Sequence, residues 1–147
     1  MTKKTVPLTV THRFAASPER VFDAWLDPAK ARLFLFATPT GEVVRCEIDA
    51  RVGGSFVVVD RRDGEDVEHV GRWLELDRPR RLAFVFSVPK YDAEADPDST
   101  PVVVEIKPLA DGGCEVTLTH QVWAQYVEQT RGGWTMILGN LAKAVAA

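Results

Sequence analysis

Six consecutive β-strand patterns limit this fold more than any other feature of the sequence, because short turns join all but one pair of them. The residues of one phase in these patterns are predominantly apolar, which is the period of a strand with one buried face. The connections Gly53-Gly54 and Asp63-Gly64 favour tight turns, and such turns join only antiparallel neighbours. The exception, PKYDAEADPDSTP, is an acidic, proline-rich loop that could act as a lid. The predicted strands cover Val43–Asp49, Ser55–Arg61, Val67–Asp77, Leu82–Val88, Val102–Pro108 and Cys114–His120.

Other patterns stand before and after these strands. A first alternating strand ends at Phe14, and Ser17 then provides an N-cap for a short amphipathic helix that starts with Pro18. Asp27 caps a second short helix in the same way. The last segment, approximately Ala124–Val145, predicts a helix roughly 30 Å long at 1.5 Å per residue.

The order of these elements determines the expected architecture. A strand, two helices, six strands and a long helix predict an α+β fold, in which a curled seven-stranded antiparallel sheet grips the C-terminal helix. We expect one domain over residues 1–147, since this length is typical of a single domain. A sheet that curls around a helix about 10 Å wide leaves a gap between them. This gap is the expected functional feature.

Composition and charge exclude several classes of partner. The net charge is −3 and no basic block is present, so nucleic-acid binding is not expected. The longest apolar runs are about four or five residues, whereas a membrane span needs roughly 18, so membrane insertion is not expected either. The sequence shows neither a signal peptide nor a zinc motif, and Cys46 and Cys114 are expected to stay reduced. We therefore expect a cytoplasmic protein without a metal or cofactor.

Five sequence stretches carry a resemblance to a known superfamily. They are ASPERVFDAWLDPAKARLF, CEIDARVGGSF, HVGRWLELDRPRRLAFVF, CEVTLTH and RGGWTMILGNL, and together they cover nearly the whole chain. The sequence resembles the START-like superfamily (SRPBCC, or helix-grip), and within it the branch named after activators of the heat-shock chaperone ATPase. That branch favours proline at two turn positions where this sequence has Val52 and Arg78. Because both positions lie in turns, the expected fold is unchanged.

The resemblance implies a hydrophobic cavity between the C-terminal helix and the sheet. Members of the superfamily bind lipids, sterols, polyketides or plant hormones; some are cyclases or dehydratases, and some bind a chaperone. Three functions therefore remain open: a cytoplasmic binding protein for a small apolar ligand, a cyclase-, dehydratase- or hydrolase-like enzyme, and a chaperone-binding module. The first is the favoured hypothesis. The sequence does not determine the oligomeric state.

The walls of the expected cavity come from inward-facing strand positions, from one stripe of the last helix, and from two phenylalanines that could close one mouth. The phase of Trp73 is ambiguous, because VGRWLEL has apolar residues in both phases and a β-bulge could turn the side chain. The same residues could also form a plain core. The predicted pocket residues are Phe34, Phe36, Phe56, Val58, Trp73, Phe84, Phe86, Val104, Leu118, His120, Trp134 and Leu138.

Three glycines surround Trp134 in the last helix. Gly132, Gly133 and Gly139 each cost a helix roughly 1 kcal/mol relative to alanine. Two explanations remain open for them. They could allow a close approach of neighbouring backbone, or they could keep space open beside the indole.

Polar groups inside the cavity would distinguish an enzyme from a binding protein. The sequence shows no nucleophile motif and no metal or nucleotide fingerprint, so it favours a binding protein. His120, His12 and Glu47 are the candidates if the protein is an enzyme. His120 shares the inward phase of Val116 and Leu118 at the predicted end of its strand. We expect a buried, neutral imidazole that either meets a ligand's polar end or bonds the backbone at the start of the last helix.

Overall fold

A computed structural model describes residues 5–38, 40–89 and 100–146 of the chain. Its element order is the predicted one: a strand, two short helices, six strands and a long helix. The strands are β1 (Thr5–Phe14), β2 (Glu42–Ile48), β3 (Ser55–Arg62), β4 (Glu65–Asp77), β5 (Arg81–Ser87), β6 (Val102–Pro108) and β7 (Cys114–Trp123). The helices are α1 (Pro18–Ala24), α2 (Pro28–Ala31) and α3 (Val127–Val145).

The described strands form one seven-stranded sheet in the order β1-β7-β6-β5-β4-β3-β2. Every neighbouring pair is antiparallel, as the short turns predict. Strands β2 to β7 follow one another along the chain, and β1 pairs with β7 at the other edge. The long helix α3 lies against the concave face, so the prediction of a curled sheet that grips a C-terminal helix is confirmed.

The two short helices begin as their sequences predict. The side chain of Ser17 accepts a hydrogen bond from the Arg20 amide at 3.3 Å, and Asp27 accepts one from the Ala29 amide at 3.0 Å. In each helix a proline occupies the first turn, where its missing N–H leaves no donor unsatisfied. Both helices bury apolar residues against the sheet and α3.

A β-bulge settles the ambiguous phase of strand β4. The register with β5 shifts between Trp73 and Glu75, so Leu74 is the extra residue and its side chain is 39% exposed. Trp73 stays on the concave face and is fully buried. The bulge therefore explains why apolar residues occupy both phases of this segment.

The long helix begins later than predicted. Strand β7 continues to Trp123, and one 3₁₀ turn over Ala124–Tyr126 precedes α3. His120 consequently lies three residues before the end of its strand, not at its end, so the predicted bond to backbone at the helix entry is wrong. The buried stripe of α3 contains Trp134, Ile137, Leu138, Leu141 and Val145.

The glycines of α3 do not serve close packing. A Cβ atom added to Gly132, Gly133 or Gly139 would meet nothing within 4 Å. The explanation by close backbone approach is therefore wrong, and the explanation by open space is the one that the geometry permits.

Two further expectations concern the chain as a whole. No helix in the described ranges is long and apolar enough to cross a membrane. Most of the predicted loop from Pro89 to Pro101, namely residues 90–99, lies outside the described residues.

Candidate functional site

The concave face of the sheet is filled by two groups of aromatic rings. The inner cluster lies beneath α1 and α2, and all five of its members are fully buried. Neighbouring rings in it meet at centroid distances of 5.1 to 6.1 Å, mostly edge to face or tilted, which is the favoured geometry for aromatic pairs. The inner cluster consists of Trp25, Phe34, Phe56, Trp73 and Phe84.

The second group, which we call the aromatic niche, lies toward the end of the sheet where β5 and β6 separate. The β5–β6 pairing ends at Phe84 and Val102, and Phe86 beyond it is only half-buried. Ring centroids in the niche lie 4.2 to 6.3 Å apart. Phe84 touches both groups, since it lies 6.3 Å from Phe86 and 6.3 Å from Trp134. The niche consists of Phe36, His69, Phe86, His120 and Trp134.

All twelve residues predicted to line a pocket lie in the apolar interior between the sheet and the helices. Eleven are buried, and Phe86 is half-buried. Phe36, Phe86, His120 and Trp134 belong to the niche. Phe34, Phe56, Trp73 and Phe84 belong to the inner cluster, and Val58, Val104, Leu118 and Leu138 pack around both groups.

His120 is buried and points toward the long helix, as its phase predicts. Its Nδ1 accepts a hydrogen bond of 3.0 Å from the indole Nε1 of Trp134. Burial lowers the pKa of His120 to about 4, and a hydrogen bond to the Thr100 backbone opposes this shift. The imidazole is therefore neutral near pH 7, with its proton on Nε2 because Nδ1 accepts. Its polar atoms serve the packing of α3 against β7.

His69 is the second buried histidine, and the sequence analysis assigned it no role. It lies opposite Val58 across β3 and β4 and is 6% exposed. Burial lowers its pKa to about 4, and the nearby positive charge of Arg62 lowers it further. Its ring stacks on that of Phe36 at 4.2 Å with an interplanar angle of 6°. No described residue makes a hydrogen bond with its Nδ1.

Asp60 is a fully buried carboxylate beside the niche. Its Oδ2 accepts hydrogen bonds from Arg62 Nε at 2.6 Å and from Thr38 Oγ1 at 2.8 Å. Its Oδ1 is buried and has no hydrogen-bond partner among the described residues. Asp60 is opposite Val67 on β4, and is therefore a diagonal neighbour of His69 on the concave face.

Phe36 joins the niche from the segment between α2 and β2. Its backbone adopts φ 59°, in the left-handed region that non-glycine residues rarely occupy. Arg62 Nη2 donates a hydrogen bond of 3.3 Å to its carbonyl oxygen, and Thr38 binds Asp60 two residues further on. Polar contacts to one buried ion pair thus hold the Phe36 ring against His69.

The sequence contains a signal for the two buried polar residues that were not predicted, His69 and Asp60. Asp60 shares the inward phase of Phe56 and Val58, and His69 shares the inward phase of Trp73. A charged or titratable residue in such a phase is unusual, because burying it without full pairing is unfavourable. Both residues could therefore have been recognised as buried polar groups from their strand phase alone.

The remaining enzyme candidates do not converge on the niche. Glu47 is exposed and forms an ion pair with Arg45 on the outer side of β2, so it does not lie inside the cavity that the enzyme hypothesis requires. His12 is half-buried on β1, where its ring lies 4.7 Å from that of Phe14. In the described ranges, no group of three or more histidine, cysteine, aspartate or glutamate residues could hold a metal ion.

Two depressions among the described residues lie outside the helix–sheet interface. One of about 300 Å³ lies over β3, β4 and β5 and includes Val70, Arg72 and Val85, whose side chains alternate with the concave ones. The other, of about 180 Å³, lies between α1, α2 and the end of α3. Neither of these two depressions opens between α3 and the sheet.

A curled antiparallel sheet that wraps a C-terminal helix, with an aromatic interior between them, defines the helix-grip class of proteins. The sequence pattern of the family described as Activator of Hsp90 ATPase homolog 1-like protein matches residues 15–146. The chain belongs to this family. No curated protein is significantly similar to it in sequence.

Solved structures share the fold over almost the whole chain. Protein CV1439 from Chromobacterium violaceum is 24% identical with a TM-score of 0.80, and the match covers 96% of this chain and 97% of that one. Protein SA2116 of unknown function from Staphylococcus aureus is 16% identical with a TM-score of 0.83, covering 98% and 95%. An AHSA1-like protein from Aeromonas hydrophila is 22% identical with a TM-score of 0.81, covering 96% and 92%. At these identities the similarity establishes the fold alone.

Proposed function

We propose that this protein binds a small apolar molecule in the aromatic niche. The observation that carries the proposal is the end of the β5–β6 pairing at Phe84 and Val102, directly beside the half-buried ring of Phe86. Among the described residues, no strand pairing has to be broken for a ligand to approach the interior there. The cytoplasmic location expected from the sequence is part of the proposal.

The chemistry of the niche favours an uncharged ligand. Its walls are aromatic, and both of its histidines are neutral near pH 7 because burial lowers each pKa to about 4. An ionised ligand would lose its hydration at this site without meeting a free opposite charge. The helix-grip fold is often a ligand-binding fold, which agrees with this proposal.

Helix α3 also leaves open space on the side where the β5–β6 pairing ends. Arg131 donates a hydrogen bond of 3.1 Å to the Thr9 carbonyl of β1. Gly133 is two residues further along, and at about 100° per residue it faces away from β1. A Cβ at Gly133 would meet nothing within 4 Å. A large side chain at this position would therefore occupy the entrance, whereas one at the exposed Gly132 would extend into solvent.

The test uses the uncharged fluorescent probe N-phenyl-1-naphthylamine with the purified full chain. We expect saturable fluorescence enhancement with the native protein, strong loss of it in Gly133→Leu, and native binding in Gly132→Leu. Helicity and unfolding midpoints of the two variants provide the folding control. Absence of saturable enhancement with the native protein, or equal binding by both variants, would contradict binding in the niche.

A second candidate function, binding to a chaperone, is favoured by the outer face of the sheet. The depression of about 300 Å³ includes Gly53 and Arg72, and the adjacent side chains of Val52 and Leu74 are 62% and 39% exposed. Exposed apolar groups of this kind are typical of contact surfaces. We expect the native chain to change the ATPase rate of purified Hsp90 and a Val52→Asp/Leu74→Asp variant to have no effect. An unchanged rate with the native chain would exclude this function.

A further inference from the structure

We propose that the ring of Phe36 occupies the place of the ligand, and that this ligand is a flat aromatic molecule with a hydrogen-bond donor at its edge. The inference rests on the proposed function and names its ligand class. It follows from the stacking of Phe36, from its backbone conformation, and from a buried carboxylate oxygen that lacks a donor.

The surroundings of Phe36 show which shape fits. Its ring lies parallel to His69 at 4.2 Å, and it also lies 4.7 Å from Phe86 and 5.9 Å from Trp134. Three rings therefore contact one flat six-membered ring. A planar molecule that takes this position keeps the same stacking contacts, whereas a bulky aliphatic molecule does not.

Exchange of Phe36 for a ligand is helped by its backbone. A bulky residue at φ 59° is unfavourable, so release of the segment lets this residue return to an ordinary conformation. Besides the ring contacts of Phe36, the segment is held by two polar contacts, from Arg62 to the Phe36 carbonyl and from Thr38 to Asp60. Such contacts can be replaced by water or by a ligand when the segment moves.

The donor requirement comes from Asp60. Its carboxylate is fully buried, and its Oδ1 finds no donor among the described residues. Burial of an unpaired acceptor is unfavourable, and a ligand that brings an O–H or N–H group removes this cost. Asp60 and His69 are diagonal neighbours on the concave face, so the carboxylate lies on the same face as the ring stacked on that histidine. A single ordered water at Oδ1 is the competing explanation.

The experiment compares two probes that share one ring system. 2-Naphthol carries a hydroxyl donor, and 2-methoxynaphthalene carries none. Each is titrated into native protein, Phe36→Ala and Phe34→Ala. Phe34 is the matched control, because it is a fully buried phenylalanine of the inner cluster two residues away. Circular dichroism confirms that each variant is folded, and Phe36→Leu replaces Phe36→Ala if the alanine variant is not.

We expect Phe36→Ala to bind both probes more tightly than native protein, because the occupying ring is gone. It should prefer 2-naphthol by about tenfold or more, which is typical of one hydrogen bond to a charged acceptor. Phe34→Ala should not gain affinity in this way, because the Phe36 ring still occupies the position. Adding Asp60→Asn to Phe36→Ala should reduce the preference, because a neutral amide oxygen is a weaker acceptor than a carboxylate.

Equal affinity of Phe36→Ala for the two probes would overturn the inference and favour the water explanation. A gain in affinity by Phe34→Ala as large as that of Phe36→Ala would overturn it as well, because the gain would then not depend on the position of Phe36. So would an unchanged preference after Asp60→Asn is added to Phe36→Ala. In each of these cases uptake of N-phenyl-1-naphthylamine by native protein would leave the proposed function standing. Loss of that uptake, by contrast, would remove the proposed function itself.

Discussion

The indole Nε1 of Trp134 in α3 donates a hydrogen bond of 3.0 Å to Nδ1 of His120 in β7. Both side chains are buried, and their rings meet edge to face at 5.8 Å. This polar contact fixes the rotation of the long helix over the sheet, because an apolar interior offers neither atom another partner nearby. It is the one contact in the niche that joins helix and sheet by a hydrogen bond between side chains of the described residues.

The first prediction concerns this pair. Trp134→Phe leaves His120 Nδ1 buried without a donor, and we expect a loss of about 1–3 kcal/mol in the free energy of unfolding, beyond the smaller ring's lost packing. In the double variant with His120→Phe this polar component should largely disappear, because neither partner remains. Chemical denaturation of the native protein, Trp134→Phe, His120→Phe and the double variant measures the coupling energy between the two side chains. Additive losses would show that the hydrogen bond contributes nothing.

Truncation of Trp134 to alanine measures its packing separately from its hydrogen bond. Trp134 is 2% exposed, so Trp134→Ala should lower the free energy of unfolding by about 3–5 kcal/mol. Denaturation of the full chain in urea checks this value. A loss well below this range would indicate that the indole borders open space.

The second prediction concerns pH. The pKa of His69 and that of His120 are each about 4 in the folded protein, below the ordinary value of 6.5. Between these values the unfolded chain binds more protons than the folded one, so stability is complete above about pH 6.5 and is lost as the pH falls toward 4. Each histidine should contribute a loss of about 2 kcal/mol by pH 5.

Urea denaturation from pH 5 to pH 7 measures this loss. His69→Gln and His120→Gln should each remove about half of the pH-dependent change, since glutamine does not titrate and can still accept a hydrogen bond. An unchanged pH profile in both variants would show that other groups are responsible.

The third prediction uses the glycines of α3. Gly132→Ala should raise the free energy of unfolding by about 0.5–1 kcal/mol, because alanine is the better helix former and its Cβ meets nothing within 4 Å. Gly71→Ala is the contrasting variant, since a Cβ there would collide with the Phe56 ring. It should be clearly destabilising. Thermal unfolding of both variants distinguishes the two cases, and destabilisation by Gly132→Ala would contradict the geometry of the helix.

The fourth prediction compares two neighbouring arginines of β3. Arg62 pairs with the fully buried Asp60, so Arg62→Ala leaves an uncompensated carboxylate and should cost about 3 kcal/mol. Arg61 pairs with Asp66 at the surface, where both side chains are about half exposed. Arg61→Ala should cost less than about 1 kcal/mol. Equal losses in urea denaturation would show that the burial of Asp60 does not matter.

Local patterns account for most of the fold. Strict alternation placed Phe56, Phe84 and Leu118 on the concave face, and the structure has them there. Capping residues located the starts of both short helices, although the second helix ends at Ala31, before the Leu33, Phe34 and Phe36 that its apolar pattern had included. These features depend on neighbours in sequence, which is why they could be predicted without coordinates.

The niche depends on contacts that no local pattern contains. The bond between His120 and Trp134 needs the rotation of a helix over a sheet. The stack of Phe36 on His69 needs a left-handed residue in an irregular segment, and no glycine or asparagine marks it. The alternative in which His120 bonds the backbone at the entry of the last helix failed for a related reason, since the length of β7 is set by its pairing with β1 through Trp123.

The pairing of β1 with β7 also determines when the first strand can fold during synthesis. Strand β1 pairs with β7 along its whole length, from Thr5 opposite Trp123 to Phe14 opposite Cys114, so partners are separated by roughly a hundred residues. A ribosome must therefore synthesise nearly all of the chain before the first strand can enter the sheet. Until then β1 is an unpaired, β-prone segment of a nascent chain, the kind of segment that chaperones protect from aggregation.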